Sequence, residues 1–203
     1  MVSIEEYKKT IMHLSNEDDK RIFTQKHFFH GIPVVFELRE NEYYHFRKRI
    51  ADEFKIGFFE VIIVGSSKFG FSPYKFTQFS LNSDIDVVLF NEKLFDEFYN
   101  LVSEYQYKIR TYEIRLTTWQ YKQYQKFLQY FVMGWMRPDL LPQNTIEFKE
   151  LKQKWDDFFK SISYSNSEVG DYKVKAGLFK SYHYAEKYYR SSIDEISVKL
   201  KNT

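Results

Sequence analysis

Gly65, Ser66, Asp84 and Asp86 have the types and spacing of a site for phosphate and a divalent cation. Gly65-Ser66 closes the apolar, β-branched run Val61-Ile62-Ile63-Val64, and Ser83-Asp84-Ile85-Asp86 opens a second such run that continues to Phe90. On a strand, alternate side chains share a face, so Asp84 and Asp86 project together while Ile85 points into the core. Two carboxylates held side by side are what a divalent cation with oxygen ligands requires. Gly65 lets a phosphate approach the backbone, and Ser66 with nearby amides can donate hydrogen bonds to it. Ser67, Lys68 and Ser83 flank the two halves and join Gly65 and Ser66 as candidates for holding that phosphate. Taken singly, an Asp-x-Asp pair is most often a solvated pair or a turn cap, and Gly-Ser is a turn. Their order, each at the end of a β-branched run, carries the argument.

The surrounding pattern supplies elements able to hold these residues. Tyr43, Phe46, Ile50 and Phe54 recur at helical spacing, so 41–55 reads as an amphipathic helix, followed by a buried strand over 58–64. Residues 65–83 read as a loop or an extended helix start. A second strand spans 85–90, and Asn91 caps a helix through Leu94, Phe95, Phe98, Leu101 and Val102. Residues 107–118 fit either a strand or the start of the next helix. The spacing predicts helices over 119–136, stopped by Arg137-Pro138, and over 144–160. A strand is expected over 172–179, with Val174, Ala176 and Leu178 on one face, and a closing helix over 181–201. Ser3 ahead of Glu5 and Glu6 is a candidate cap for a short first helix.

Length and composition bound the rest. With 203 residues, 43% of them hydrophobic, the chain can bury a sizeable core, and a single domain is expected across 1–203. Its core would comprise about 41–118 and 170–203, with a helical part at about 119–160. Twenty-one Phe and 17 Tyr against 7 Gly and 4 Pro imply long elements around a ring-packed core. A formal net charge of +2 argues against sequence-independent binding of duplex DNA. The lack of cysteine excludes disulfides, thiolate zinc sites and a Cys nucleophile. No apolar run reaches the roughly 18 to 20 residues of a membrane span, and the first twenty residues carry scattered charge, so a cytoplasmic setting without membrane association is expected.

The segment 61–90, with the helices on either side of it, resembles the nucleotidyltransferase superfamily related to DNA polymerase beta. The signature of that superfamily is a strand ending in Gly-Ser or Gly-Gly and an Asp-x-Asp opening the next strand. Gly65, Ser66, Asp84 and Asp86 match it position by position. The resemblance implies an α+β fold, a small mixed β-sheet with additional helices packed C-terminally. It also implies that Asp84 and Asp86 bind two Mg²⁺ ions, that Gly65-Ser66 holds the nucleotide phosphates, and that an acceptor hydroxyl attacks the α-phosphate of a nucleoside triphosphate. The acceptor is left open among protein, RNA, small molecule and second nucleotide. Small bacterial members of the superfamily often look like toxin or phage-defence components. A second reading is a catalytically weak or inactive domain of the same fold that binds nucleotide or a partner protein.

Two departures accompany the match. The gap between Ser66 and Ser83 is long, and Lys68, Tyr74, Lys75 and Gln78 within it are candidates for touching the nucleotide. The superfamily's third carboxylate, expected on a later strand, has no unambiguous counterpart. Glu113 fits if 109–116 is a strand, Asp171 fits if the strand at 172–179 is the third one, and Asp139 sits in a distinctive loop without a strand pattern. His27 and His30, three apart in His-Phe-Phe-His, are more simply a local turn packed by Phe28 and Phe29 than a metal pair. The basic, aromatic face of the closing helix reads as solvated surface.

Overall fold

A computed structural model describes residues 2–202, arranged about a four-stranded mixed sheet in the order β1-β2-β4-β3. The strands are β1 (Val61–Val64), β2 (Asp84–Phe90), β3 (Trp135–Met136) and β4 (Lys173–Phe179). β1 runs antiparallel to β2, β2 is parallel to β4, and β3 pairs antiparallel with only the last two residues of β4. The helices are α1 (Ile4–His13), α2 (Glu17–Thr24), α3 (Glu40–Phe54), α4 (Ser66–Phe69), α5 (Glu92–Arg110), α6 (Thr118–Val132), α7 (Ile146–Ser161) and α8 (Tyr182–Lys201). The chain is thus α+β with a small mixed sheet, and among the described residues no helix is long and apolar enough to cross a membrane.

Local chemistry accounts for most boundaries. Ser3 and Glu6 form a reciprocal capping box at α1, Thr117 and Gln120 form another at α6, and Asn16, Asn91 and Thr145 cap α2, α5 and α7 through their side chains. Periodicity places the helix at 41–55 within one residue of α3 and the strand at 172–179 within one residue of β4. Three expectations shift. The strand expected over 58–64 is confined to 61–64, because Phe58–Glu60 turns as a 3₁₀ helix held by the Arg47 side chain, which donates to the Phe58 and Val61 carbonyls. The helix expected over 119–136 ends at Val132, and Trp135-Met136 instead joins the sheet edge against Phe179 and Leu178. Residues 107–118 hold no strand: α5 continues to Arg110 and a turn follows.

The sheet's two faces carry different packing, following strand alternation. Val61, Ile63, Ile85, Val87, Leu89, Val174 and Leu178 face a core shared with Phe46 and Ile50 of α3, Phe95 and Phe98 of α5, Phe127 of α6 and Trp155 of α7. Burying each such side chain contributes on the order of 2 kcal/mol. On the opposite face, Ile62, Val64, Val88, Phe90 and Phe179 pack with Ala185 of α8. α1 and α2 extend that layer: Tyr7, Ile11 and Phe23 meet Phe69, Phe71, Ile193 and Ile196 in a separate cluster. The N-terminal helices and α8 therefore cover one part of the face that bears the two aspartates.

Candidate functional site

Parallel pairing of β2 with β4 decides what surrounds the aspartates. The register aligns Asp84 with Lys173 and Asp86 with Lys175, so two carboxylates and two ammonium groups share one sheet face at the strand starts. Farther along the same face the polar residues give way to Val88 and Phe90, which are covered by α8. The polar part is left open as the floor of a cleft of about 1030 Å³. Gly65, Asp84, Asp86, Lys173 and Lys175 line it, with Arg137 and Asp139 after β3, Lys152 of α7, and Tyr188 and Ser192 of α8.

Gly65 is placed by the β1–α4 turn with φ +68° and ψ −152°, a conformation essentially reserved for glycine. A Cβ there would lie 2.6 Å from Asp86 Oδ2, so the Asp86 carboxylate rests directly against the Gly65 backbone. Asp84 Oδ2 is 2.5 Å from Lys175 Nζ, and this pairing holds the lysine above its ordinary proton affinity. Asp86 is open to the solvent in the cleft, yet protein crowds it on most sides. That crowding pushes its pKa up to about 6, with the Asp84 charge adding to the rise and Lys175 opposing it. The two aspartates therefore differ in kind: one is ion-paired, and the other holds a proton more readily than an ordinary carboxylate.

The rim supplies further charge. Arg137 grips Asp139 through Nε and Nη2 at 3.2 and 2.7 Å, and its guanidinium lies over the rings of Tyr130 and Trp135 at 5.0 and 5.2 Å. Lys152 Nζ reaches the Asp139 carbonyl at 3.4 Å. Trp135 in turn lies over Gly177 of β4, where a Cβ would meet its Nε1 at 2.6 Å. The absence of a side chain at Gly177 is what allows the indole to close the end of the cleft.

The remaining sequence candidates lie elsewhere. Ser66 heads α4 half-buried, and Ser67 is fully buried, donating to the Val64 carbonyl at 3.1 Å. Lys68 points away from the cleft: its ammonium donates to the carbonyls of His30 and Gly31 at 2.5 and 2.8 Å, and burial pulls its pKa down to about 8. Ser83 accepts from the Ser80 amide in the turn before β2. None of these four lines the cleft, although Tyr74 does. Glu113 is exposed on the turn after α5, accepting from Thr111 at 2.7 Å, and the strand required to present it does not form. Asp171 is exposed in the bend before β4 and outside the cleft lining. His27 packs its ring on Phe23 in the π-helical turn Gln25–Phe29, where Phe28 is buried.

The third carboxylate was expected on a later strand; β4, the later strand that pairs with β2, carries Lys175 beside Asp86. Its signal was present in the alternation Lys173-Val174-Lys175-Ala176, which puts both lysines opposite the apolar face. What the alternation could not supply is the identity of the partner strand. Among the described residues no group of three or more His, Asp or Glu side chains is placed to hold a metal ion. Asp84 and Asp86 are the neighbouring carboxylates of the cleft floor that could hold a divalent cation, with water or phosphate oxygens completing its ligands. Comparison with family models, with curated proteins and with solved structures finds no match to the chain.

Proposed function

We propose that the chain is a metal-dependent nucleotidyltransferase of the class related to DNA polymerase beta, transferring a nucleoside monophosphate from a nucleoside triphosphate to an acceptor hydroxyl. One observation carries this reading: Asp84 and Asp86 stand together on the floor of an open cleft, with Asp86 against the bare backbone of Gly65. The antiparallel β1–β2 pair, with Gly65 at the end of one strand and the aspartates at the start of the next, agrees with the motif order that suggested the class.

In this reading Asp84 and Asp86 would hold Mg²⁺ or Mn²⁺, which would supply positive charge against the transferring phosphate. Gly65 leaves room for the Asp86 carboxylate, and Lys173, Lys175 and Lys152 attract the phosphates electrostatically. The acceptor oxygen forms a bond to the α-phosphorus, the bond from that phosphorus to the bridging oxygen breaks, pyrophosphate leaves with the electron pair, and the hydroxyl proton passes to solvent. Arg137, stacked on two rings and fixed by Asp139, is preorganised as part of the rim that positions the ligand.

A second reading, a nucleotide-binding domain that performs no transfer, is favoured by the Asp84–Lys175 ion pair, which occupies one carboxylate with an internal cation. Incubation with each α-labelled nucleoside triphosphate, Mg²⁺ or Mn²⁺ and a cell lysate separates the two. Transfer predicts label on an acceptor and released pyrophosphate, both lost in Asp86→Ala. Binding alone predicts a raised melting temperature with metal and triphosphate but no pyrophosphate. The absence of both a thermal shift and label transfer would overturn both readings.

A further inference from the structure

We propose that Lys175 is the built-in second cation of the cleft, so that this site binds one divalent ion and not two. The proposal deepens the reading of the cleft as a nucleotide site and rests on that reading for its purpose, but its test does not depend on transfer.

Lys175 is the direct neighbour of Asp86 across the β2–β4 pair, and its ammonium reaches diagonally to Asp84 at 2.5 Å. One lysine is thereby set against both carboxylates from a strand position. A pair of divalent ions in a phosphoryl-transfer site sits about 3.5 to 4 Å apart and shares oxygen ligands. An ammonium bonded to one Asp84 oxygen takes a ligand that such a pair would use and repels any ion placed close to it. Glu113 and Asp171 are outside the cleft, Asp139 is engaged by Arg137, and Asp156 of α7 and Glu195 of α8, which also line it, form no group of three with the aspartates placed to hold a metal ion among the described residues. An ion bound mainly through Asp86 and the free oxygen of Asp84 remains compatible with the geometry.

Charge explains why a lysine is useful here. Two carboxylates on adjacent same-face positions repel one another and also repel an anionic ligand. An ammonium beside them relieves both effects without metal, and it presents hydrogen-bond donors to a phosphate once one enters. A metal ion gives strong, geometry-dependent ligation; a lysine gives a point charge with movable donors. The proposed site combines one of each.

Mn²⁺ binding to the intact protein, measured by the loss of the free-ion electron paramagnetic resonance signal without nucleotide, tests this directly. The native chain should bind one Mn²⁺, and Asp86→Asn should abolish binding. Lys175→Met should keep one ion but tighten it at least tenfold, because the competing charge is gone. Lys175→Glu should bind two. Lys175→Gln, which keeps a polar side chain at this half-exposed position, guards against a packing effect and should tighten binding as Met does. Two ions on the native chain, no ion at all, or unchanged affinity in both neutral variants would overturn the proposal. A single ion with the expected tightening but no nucleotidyl transfer would leave Lys175 in this role and refute the transferase reading.

Discussion

Gly65 and Asp86 form one unit, since the conformation of the first decides where the second can lie. Alanine at position 65 has to adopt a positive-φ conformation that side chains disfavour, and its Cβ meets the Asp86 carboxylate. Gly65→Ala should lower the free energy of unfolding by about 2 kcal/mol or more, measured by urea denaturation, and weaken triphosphate binding. Asp86 itself is held at a cost. Its proton affinity is higher in the folded chain, about 6 against an ordinary 3.8, so between those values the folded state carries more protons and stability falls as pH rises. Above about pH 6 the full cost of the crowded charge is present, and below 3.8 it is absent. Asp86→Asn should therefore raise the melting temperature at pH 7.5 and leave it nearly unchanged at pH 3.5. An equal gain at both values would show that packing, not charge, is responsible.

At the scale of elements, the start of α5 is tied to the far end of β1's approach. Asn91 accepts from the Leu94 amide at 2.8 Å, capping the helix, and donates to both Glu60 carboxylate oxygens at 3.0 Å. Replacing it with alanine removes the cap and leaves Glu60 without this donor. Asn91→Ala should cost about 1 to 2 kcal/mol, with the first turn of α5 exchanging its amide hydrogens faster than the rest of the helix. The same reasoning explains Lys68. The expectation that it touches nucleotide treated it as a neighbour of Ser66 in sequence, whereas the four-residue helix α4 turns it toward the carbonyls at the end of the π-helical turn. Lys68 thereby joins the N-terminal segment to the β1–α4 turn that carries Gly65.

Across the whole molecule, the layer of α1, α2 and α8 depends on a small aromatic cluster. The Tyr7 ring is fully buried and meets Phe23, Phe69 and Phe71 at centroid distances of 5.7, 5.5 and 5.4 Å. Its hydroxyl is buried without a hydrogen-bond partner among the described residues. Tyr7→Ala should thus destabilise the protein by roughly 3 to 5 kcal/mol through cavity formation. Tyr7→Phe should be neutral or stabilising, since it removes only an unsatisfied polar atom. Denaturation curves of the two variants distinguish packing from hydrogen bonding, and a loss in Tyr7→Phe comparable to that in Tyr7→Ala would contradict this account.

Local pattern was enough for most elements and for the central pair of residues. The 3.6-residue spacing of Tyr43, Phe46, Ile50 and Phe54 defined α3, the caps at Ser3 and Asn91 marked helix starts, and strand alternation alone put Asp84 and Asp86 on one face. These properties depend on neighbours within a few residues, so a linear reading reaches them. The tertiary structure decided that β4 lies parallel beside β2, because that pairing joins segments almost half the chain apart and is selected by the packing of both sheet faces. It therefore placed Lys175, not an acid, next to Asp86, left Glu113 on a turn outside the cleft, and turned Lys68 away from it. Alternation shows which side chains share a face of one strand; only the register between strands brings charges from two of them together.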